Sequence, residues 1–365
     1  MSSTEARIRE IEEEIRRTPV NKATQKHVGR LRAKLARLRE ETQRPKGPRQ
    51  EGTGVRKAGD ATVALTGYPS VGKSTLLNLI TEAASQVGDY DFTTLRAVPG
   101  ILAHRGAKIQ LLDLPGLTEG AARGRGRGRE VLSQARIADL LLLMIDVERS
   151  NPDPLLRELH DGGLRLNEAP PRVTIHKKDR GGLSVALAVQ QSDVDEETVR
   201  AVAREWGLLN GEIVLQEDLN LERLVDHFAA NRVYLPAVIV LNKIDLVSPE
   251  ALARLRQTLR GWTVVPISAR EETGIDTLIE TVYGRLSFIR VYLRPRGQRE
   301  ASEEPVILRG GATVADVCQL LHREFVNRFR HAEVWGPSAR FRGQRVGLDH
   351  ALQDGDAVSI ATRPG

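Results

Sequence analysis

The stretch Thr62-Val-Ala-Leu-Thr-Gly-Tyr-Pro-Ser-Val-Gly-Lys-Ser-Thr75 decides the fold. A short apolar run, Val63 to Leu65, leads into Gly67-x-x-x-x-Gly72-Lys73-Ser74, and Leu76, Leu77, Leu79 and Ile80 follow at helical spacing. Strand, glycine-bearing loop and helix in that order suit a phosphate-binding loop, because the backbone N–H groups of the loop and helix N-terminus converge on one anion. Lys73 is spaced to reach the terminal phosphates, and the Ser74 hydroxyl to ligate Mg²⁺. A chance glycine-rich turn is the competing reading; the strand and helix flanks argue against it.

Four further motifs follow in order. A hydroxyl-bearing loop, Asp89-Tyr-Asp-Phe-Thr-Thr-Leu95, is succeeded by strand Ile109–Leu112 running into Asp113-Leu-Pro-Gly116. Strand Ala237–Leu241 runs into Asn242-Lys-Ile-Asp245, and strand Thr263–Pro266 into Ser268-Ala269. Singly these are weak signals. Together, mostly at the C-terminal ends of strands where an open α/β sheet binds ligands, they are specific.

The chemistry selects guanine. Its N1–H and N2–H₂ lie side by side, so two donors meet the two oxygens of the Asp245 carboxylate, whereas adenine presents a bare acceptor there. Asn242 is expected on the N7/O6 edge, the Lys243 stem across the base, and the Ala269 N–H on O6, with Ser268 beside it. The competing reading of Asp245 is a strand-end carboxylate that caps a helix. Gly67, Tyr68, Pro69, Ser70, Val71, Gly72, Lys73, Ser74 and Thr75 form the expected phosphate cradle. Ser74 and a switch-loop threonine, Thr93 or Thr94, would ligate Mg²⁺, with Asp113 holding it through water, and the Gly116 N–H would donate to the γ-phosphate. Loops that sense the γ-phosphate in this way make a switch. Lys73, Thr94 and Gly116 are the residues assigned to the reaction itself.

One position departs from the usual template. Many small GTPases follow Asp-x-x-Gly with a glutamine that orients the attacking water. Here Leu117 stands instead, with neither donor nor acceptor, so intrinsic turnover should be slow unless another group, a monovalent cation or a partner completes the site. Arg123, Arg125, Arg127 and Arg129 could supply charge in cis, but flexible arginines that meet a partner or RNA are the favoured reading.

The 365 residues are long for one domain, and 40 % hydrophobic with 28 % charged residues is a globular composition able to fill a core. The single cysteine, Cys318, excludes an internal disulfide and fits a reducing compartment. The strongest apolar run, Leu140–Ile145, is far too short to cross a bilayer, and the charged start lacks a signal-peptide core, so a cytoplasmic location with no membrane partner is expected. Residues 1–60 carry 16 Lys+Arg against 9 Asp+Glu, and residues 290–365 carry 12 against 9, which leaves a net −4 for the middle. Basic ends on a mildly acidic centre suggest contact with a polyanion; plain solubility is the alternative.

Residues 1–45 read as a helical hairpin, with Ile8, Ile11 and Ile15 on one helix and Val28, Leu31, Leu35 and Leu38 on the next. Its other face is rich in Arg30, Arg32, Lys34, Arg37 and Arg39. Residues 46–60 read as a linker, and 61–166 with 232–287 as the α/β P-loop domain. Residues 167–231 break the rhythm as a small inserted α+β domain, in which Val173–Val189 reads as a β-hairpin around Asp179-Arg-Gly-Gly182. Residues 288–365 read as a compact α+β module with a helical face at Val314, Val317, Leu320 and Leu321.

Gly67 to Thr75, Asp91-Phe-Thr-Thr-Leu95 and Asp113-Leu-Pro-Gly-Leu117 with Glu119-Gly-Ala121 resemble the Obg-like superfamily of GTPases. Asn21-Lys-Ala-Thr24, the insert ending Asn231-Arg-Val-Tyr-Leu-Pro236, and Asn242 to Asp245 narrow the resemblance to its developmentally regulated GTP-binding protein subfamily. Gln344 to Asp349 and Asp354 to Ile360 resemble that subfamily's TGS module, a β-grasp fold. The resemblance selects Thr94 over Thr93. It implies a GTPase core interrupted by a ribosomal-protein-like insert, GTP and GDP as substrate and product, Mg²⁺, and association with ribosomes or RNA. It brings K⁺ as a candidate stimulating cation, although some cation-dependent relatives carry Asn where this chain has Ser70. A protein activator or stabilising partner is a further candidate, and no sequence-specific DNA role is expected. The competing function is an RNA-binding protein whose GTP is structural and never turned over.

Overall fold

The computed structural model describes residues 3–19, 21, 24–43, 59–81, 99–114, 134–295, 298 and 300–363. Thr93, Thr94, Gly116, Leu117 and the arginines at 123–129 lie outside the described residues, as does most of the 46–60 linker. Along the chain run α1 (Ser3–Arg17), α2 (Gln25–Gln43), β1 (Ala61–Gly67), α3 (Lys73–Ile80), β2 (Pro99–His104), β3 (Ala107–Asp113), β4 (Leu140–Asp146) and α4 (Asp153–Asp161). Then come β5 (Leu164–Leu166), β6 (Val173–Lys177), β7 (Leu183–Leu187), α5 (Glu196–Glu205), β8 (Gly211–Leu215), α6 (Leu221–Ala229) and β9 (Val233–Leu235). The remainder is β10 (Ala237–Asn242), α7 (Pro249–Thr258), β11 (Val264–Pro266), α8 (Ile275–Leu286), β12 (Phe288–Leu293), β13 (Pro305–Arg309), α9 (Val314–Leu321), α10 (Arg323–Asn327), β14 (Phe329–Trp335), β15 (Gln344–Val346) and β16 (Asp356–Thr362). The chain divides into two compact units, Met1–Thr53 with Gly163–Tyr234 and Gly54–Gly162 with Leu235–Gly365.

The larger unit is built on a six-stranded sheet in the order β11-β10-β4-β1-β3-β2. Every neighbouring pair is parallel except the edge hairpin β2–β3. β1, β4 and β10 are buried along their whole length, so they read as unbroken apolar runs rather than alternating ones. The chain leaves β1 toward β3 and then crosses back to β4 on the other side. That reversal opens a crevice at the C-terminal end of β1, where the glycine loop begins. Leu76 and Leu77 of α3 and Leu278, Val282 and Leu286 of α8 pack onto this sheet in one core.

The same unit carries a second sheet, β13-β12-β16-β14-β15, with α9 across it. A capping box starts α9: the Asp316 carboxylate accepts from the Thr313 N–H at 2.7 Å, and Thr313 accepts from the helix in return. The helix buries Val314, Val317 and Cys318 against Val291, Ala332, Val334 and Val358. Leu320 and Leu321, assigned to the packed face by spacing, are 61 % and 39 % exposed, because Val314, Val317 and Cys318 at i, i+3 and i+4 already complete the stripe. Burial pushes the Cys318 thiol pKa up, away from reactivity.

In the smaller unit, β6 and β7 do not pair with each other. β8 lies between them, antiparallel to β6 and parallel to β7. The hairpin expected over 173–189 is therefore replaced by a split arrangement. Gly181 and Gly182, both at positive φ, carry the connection across the central strand, and the Asn210 side chain accepts from the Gly182 N–H at 2.8 Å. β8 takes the centre because Ile213 and Leu215 are fully buried, whereas β6 and β7 are only half-buried.

The N-terminal hairpin shares this unit's core. Val28 and Ala33 of α2 are buried with Val199, Val202, Leu221 and Leu224 of α5 and α6. Lys26 pairs with Glu197 at 2.8 Å, Arg30 with Glu205 at 3.2 Å, and Arg39 with Glu12 at 2.7 Å, while Arg37 donates to the Glu205 carbonyl. Arg30, Arg37 and Arg39 of the basic face are thus engaged within the fold.

Candidate functional site

The glycine loop departs from β1 with alternating backbone signs. Gly67 has φ +154°, Ser70 +64° and Gly72 +94°. A Cβ on Gly67 would sit 2.0 Å from the Met144 carbonyl of the neighbouring strand, and one on Gly72 would sit 2.5 Å from the Asn242 amide. Glycine is required at both places by close approach as well as by φ. Lys73 donates from Nζ to the Tyr68 carbonyl at 2.8 Å, which folds the loop over its own lysine, and the Tyr68 hydroxyl donates to the Asn151 carbonyl at 2.9 Å. Val71 is buried beneath the loop, while Pro69, Ser70, Ser74 and Thr75 are exposed around it.

Asp113 ends β3 beside this loop, and its Oδ2 accepts from the Ser74 hydroxyl at 3.0 Å. Its other oxygen is buried and finds no hydrogen-bond partner among the described residues. Burial raises the Asp113 carboxyl above its ordinary range, against the Ser74 bond and the charge of Lys73. Burial likewise lowers the Lys73 ammonium, against the charge of Asp113. Opposite charges and an orphaned oxygen in one half-buried cradle carry a desolvation cost that a bound ion would relieve. The donor set, a hydroxyl and a carboxylate oxygen, is the hard-oxygen chemistry that fits a small cation such as Mg²⁺.

The second cluster sits at the ends of β10 and β11. Asn242 is 3 % exposed. Its amide donates to the Val71 carbonyl at 2.8 Å, and its Oδ1 accepts from the Ala269 N–H at 3.0 Å. Asn242 thereby braces the glycine loop to the Ser268-Ala269 loop, a role that stands beside the base contacts expected of both residues. A buried amide must satisfy donor and acceptor alike, and these two loops supply its partners. Asp245 lies in a short 3₁₀ turn, Ile244–Leu246, exposed, with Oδ1 accepting from the buried Ser268 hydroxyl at 2.6 Å. That bond fixes one carboxylate oxygen of this exposed residue.

Asp146 is a residue that sequence reasoning missed. It ends β4 at 3 % exposure and lies 2.6 Å from Lys243 Nζ. Its signal was present: a carboxylate closing the buried run Leu140–Ile145, at a strand end equivalent to those of Asp113 and Asn242. Gly67 through Thr75, Asp113, Asn242, Lys243, Asp245, Ser268 and Ala269 thus follow the C-terminal edge of one sheet. Thr94 and Gly116 lie outside the described residues.

Comparison with known proteins agrees with this layout. Residues 62–178 match the model of the 50S ribosome-binding GTPase family, 180–288 that of the C-terminal region of the same domain, and 289–362 the TGS domain. An uncharacterized GTP-binding protein of Methanocaldococcus jannaschii is 51 % identical over 98 % of this chain and 93 % of its own length. Developmentally-regulated GTP-binding protein 1 of Xenopus laevis is 42 % identical over the whole of both chains. Developmentally-regulated GTP-binding protein 2 of Homo sapiens is 41 % identical over 98 % of this chain and 99 % of its own. The chain belongs to the developmentally regulated GTP-binding proteins, a family of P-loop GTPases with a C-terminal TGS domain.

Proposed function

We propose that this GTP-binding protein hydrolyses GTP to GDP and phosphate slowly, as a switch whose output is read on ribosomes or RNA. The observation that carries the reading is the Asn242 brace, which ties the phosphate loop to the loop beside Asp245 through bonds of 2.8 and 3.0 Å. One rigid link between a phosphate cradle and a base-recognition carboxylate suits a ligand that has both ends.

Within this reading Asp245 accepts from guanine N1–H and N2–H₂, and the Ser268 hydroxyl holds its edge in place. Lys73 leaves the Tyr68 carbonyl for the β- and γ-phosphates, exchanging a neutral acceptor for anionic ones. Ser74 and Thr94 would ligate Mg²⁺, Asp113 would hold it through water, and the Gly116 N–H would donate to the γ-phosphate. When bound, the ion neutralises phosphate charge. Leu117 can neither orient nor deprotonate water, so turnover stays well below the ~1–100 s⁻¹ of typical kinases until a partner or a cation such as K⁺ completes the site.

The ribosomal part of the proposal is supported by the family model's description and by the basic ends of the chain. The test measures phosphate release by the full chain with ribosomes and K⁺ varied independently. Slow release accelerated by ribosomes is expected. Many turnovers per second from the purified chain alone would remove the slow-switch reading. No turnover under any condition would leave an RNA-binding protein with structural GTP.

A further inference from the structure

Asp146 has no part in the scheme above, yet it is built into the site with unusual care. Asp146 and Asn242 are ladder partners at the C-terminal ends of β4 and β10. Lys243 then takes a left-handed φ of +63°, a strained conformation for a residue with a side chain, and its Nζ lies 2.6 Å from Asp146 Oδ2. The other oxygen, Oδ1, accepts from the backbone N–H groups of Glu148 at 3.1 Å and Arg149 at 2.8 Å. One oxygen is therefore tied to the backbone and the other to the lysine. Glu148, 68 % exposed, offers Nζ a second and longer contact at 3.5 Å.

Burial works to raise the Asp146 carboxyl, but the bonds from Lys243 and the two N–H groups outweigh it and hold the group below the ordinary carboxylate range. The bond to Asp146 raises the Lys243 ammonium. Both partners are thus charged at neutral pH. A lysine stem has four rotatable carbons and gives up much rotamer freedom when it is fixed. An anchor already paired before ligand arrives removes that cost from nucleotide binding.

We propose that Asp146 is a positioning residue for guanine nucleotide: it holds the Lys243 stem as a fixed apolar rail over the ends of β10 and β4, against which the face of the base rests. The inference rests on the reading of Asn242–Asp245 as the base loop. The rail touches the ring face and not its edge, so it carries no preference for the exocyclic amine. That preference belongs to Asp245.

The test follows release of GDP and IDP, each with a ribose-linked fluorophore, from the full chain. Asp146→Asn keeps an oxygen for the backbone N–H groups and loses the charge that holds Lys243. It is expected to release both nucleotides about tenfold faster, the effect of losing roughly one charge-assisted hydrogen bond. Lys243→Met should do the same or more, and Asp146→Asn combined with it should add nothing. A purely structural Asp146 would instead give multiplied effects, with a lowered melting midpoint of the ligand-free protein. Unchanged release from Asp146→Asn, multiplied effects in the double variant, or unchanged release from Lys243→Met each overturn the proposal. Asp245→Asn reports separately on the base-loop reading, which fails if the variant does not move preference from guanosine toward xanthosine nucleotides.

Discussion

Asp113 shows how a binding residue can cost the empty protein stability. Its Oδ1 is buried without a partner among the described residues, and its pKa is raised chiefly by burial. A carboxyl whose folded pKa exceeds its unfolded value contributes stability that is fully present below the unfolded value, about pH 3.9, and is lost as pH rises through the folded one. Asp113→Asn cannot ionise and lacks that loss. As pH rises above about 4, the ligand-free melting midpoint of the parent should therefore fall relative to the variant. Scanning calorimetry of both proteins across that range checks it; parallel curves would show that burial imposes no such cost. Asp113 was legible in sequence because its motif is contiguous. The double duty of Asn242 was not, since its partners Val71 and Ala269 are 171 and 27 residues away.

Among elements, the short ladder of β5 and β9 is secured by a buried charge cluster. Arg165, 4 % exposed, makes a two-pronged bond to Asp226 at 2.5 and 2.9 Å, and Arg232 adds a third contact to the same carboxylate at 2.7 Å. The pair ties β5 to α6 within the smaller unit. Removing Asp226 takes both short bonds from the buried Arg165 and leaves it the longer 3.8 Å pairing with Glu222, at a cost of about 3 kcal/mol. Asp226→Ala should lower the denaturant midpoint of this unit accordingly, measured by urea titration with hydrogen exchange across β5 and β9; a loss under about 1 kcal/mol would show that water enters and solvates Arg165. Local periodicity did identify β6 and β7 as strands. It could not reveal that β8 inserts between the other two. A turn signal at Gly181-Gly182 shows that the chain bends, and only the burial of Ile213 and Leu215 selects the central strand.

For the whole molecule, the N-terminal hairpin and the insert of residues 167–231 share one core across more than a hundred residues of intervening chain. Gly29 permits that packing: a Cβ there would stand 3.2 Å from both Leu221 and Thr198. Deleting residues 1–45 should therefore expose Val199, Val202 and Leu221 and speed proteolysis within 167–231 at least tenfold, read by timed digestion of both chains. Unchanged digestion would show that the insert folds without the hairpin. The deletion consequently cannot isolate the charge of the hairpin in a ribosome-binding assay. Substitution of the exposed Lys34 with Gln is the cleaner probe.

The amino-acid order by itself determined the phosphate loop, the succession of strand-end motifs, the family resemblance and the absent glutamine at Leu117. Each of these is written within a few consecutive residues, where local geometry and chemistry act together. Other features waited on the folded chain: Asn242 as a brace, Asp146 beneath Lys243, β8 at the centre of its sheet, and the hairpin seated on the insert. Each depends on partners far apart in sequence, and their pairing is chosen by burial and by the need of every buried polar group for a partner, which no local pattern records.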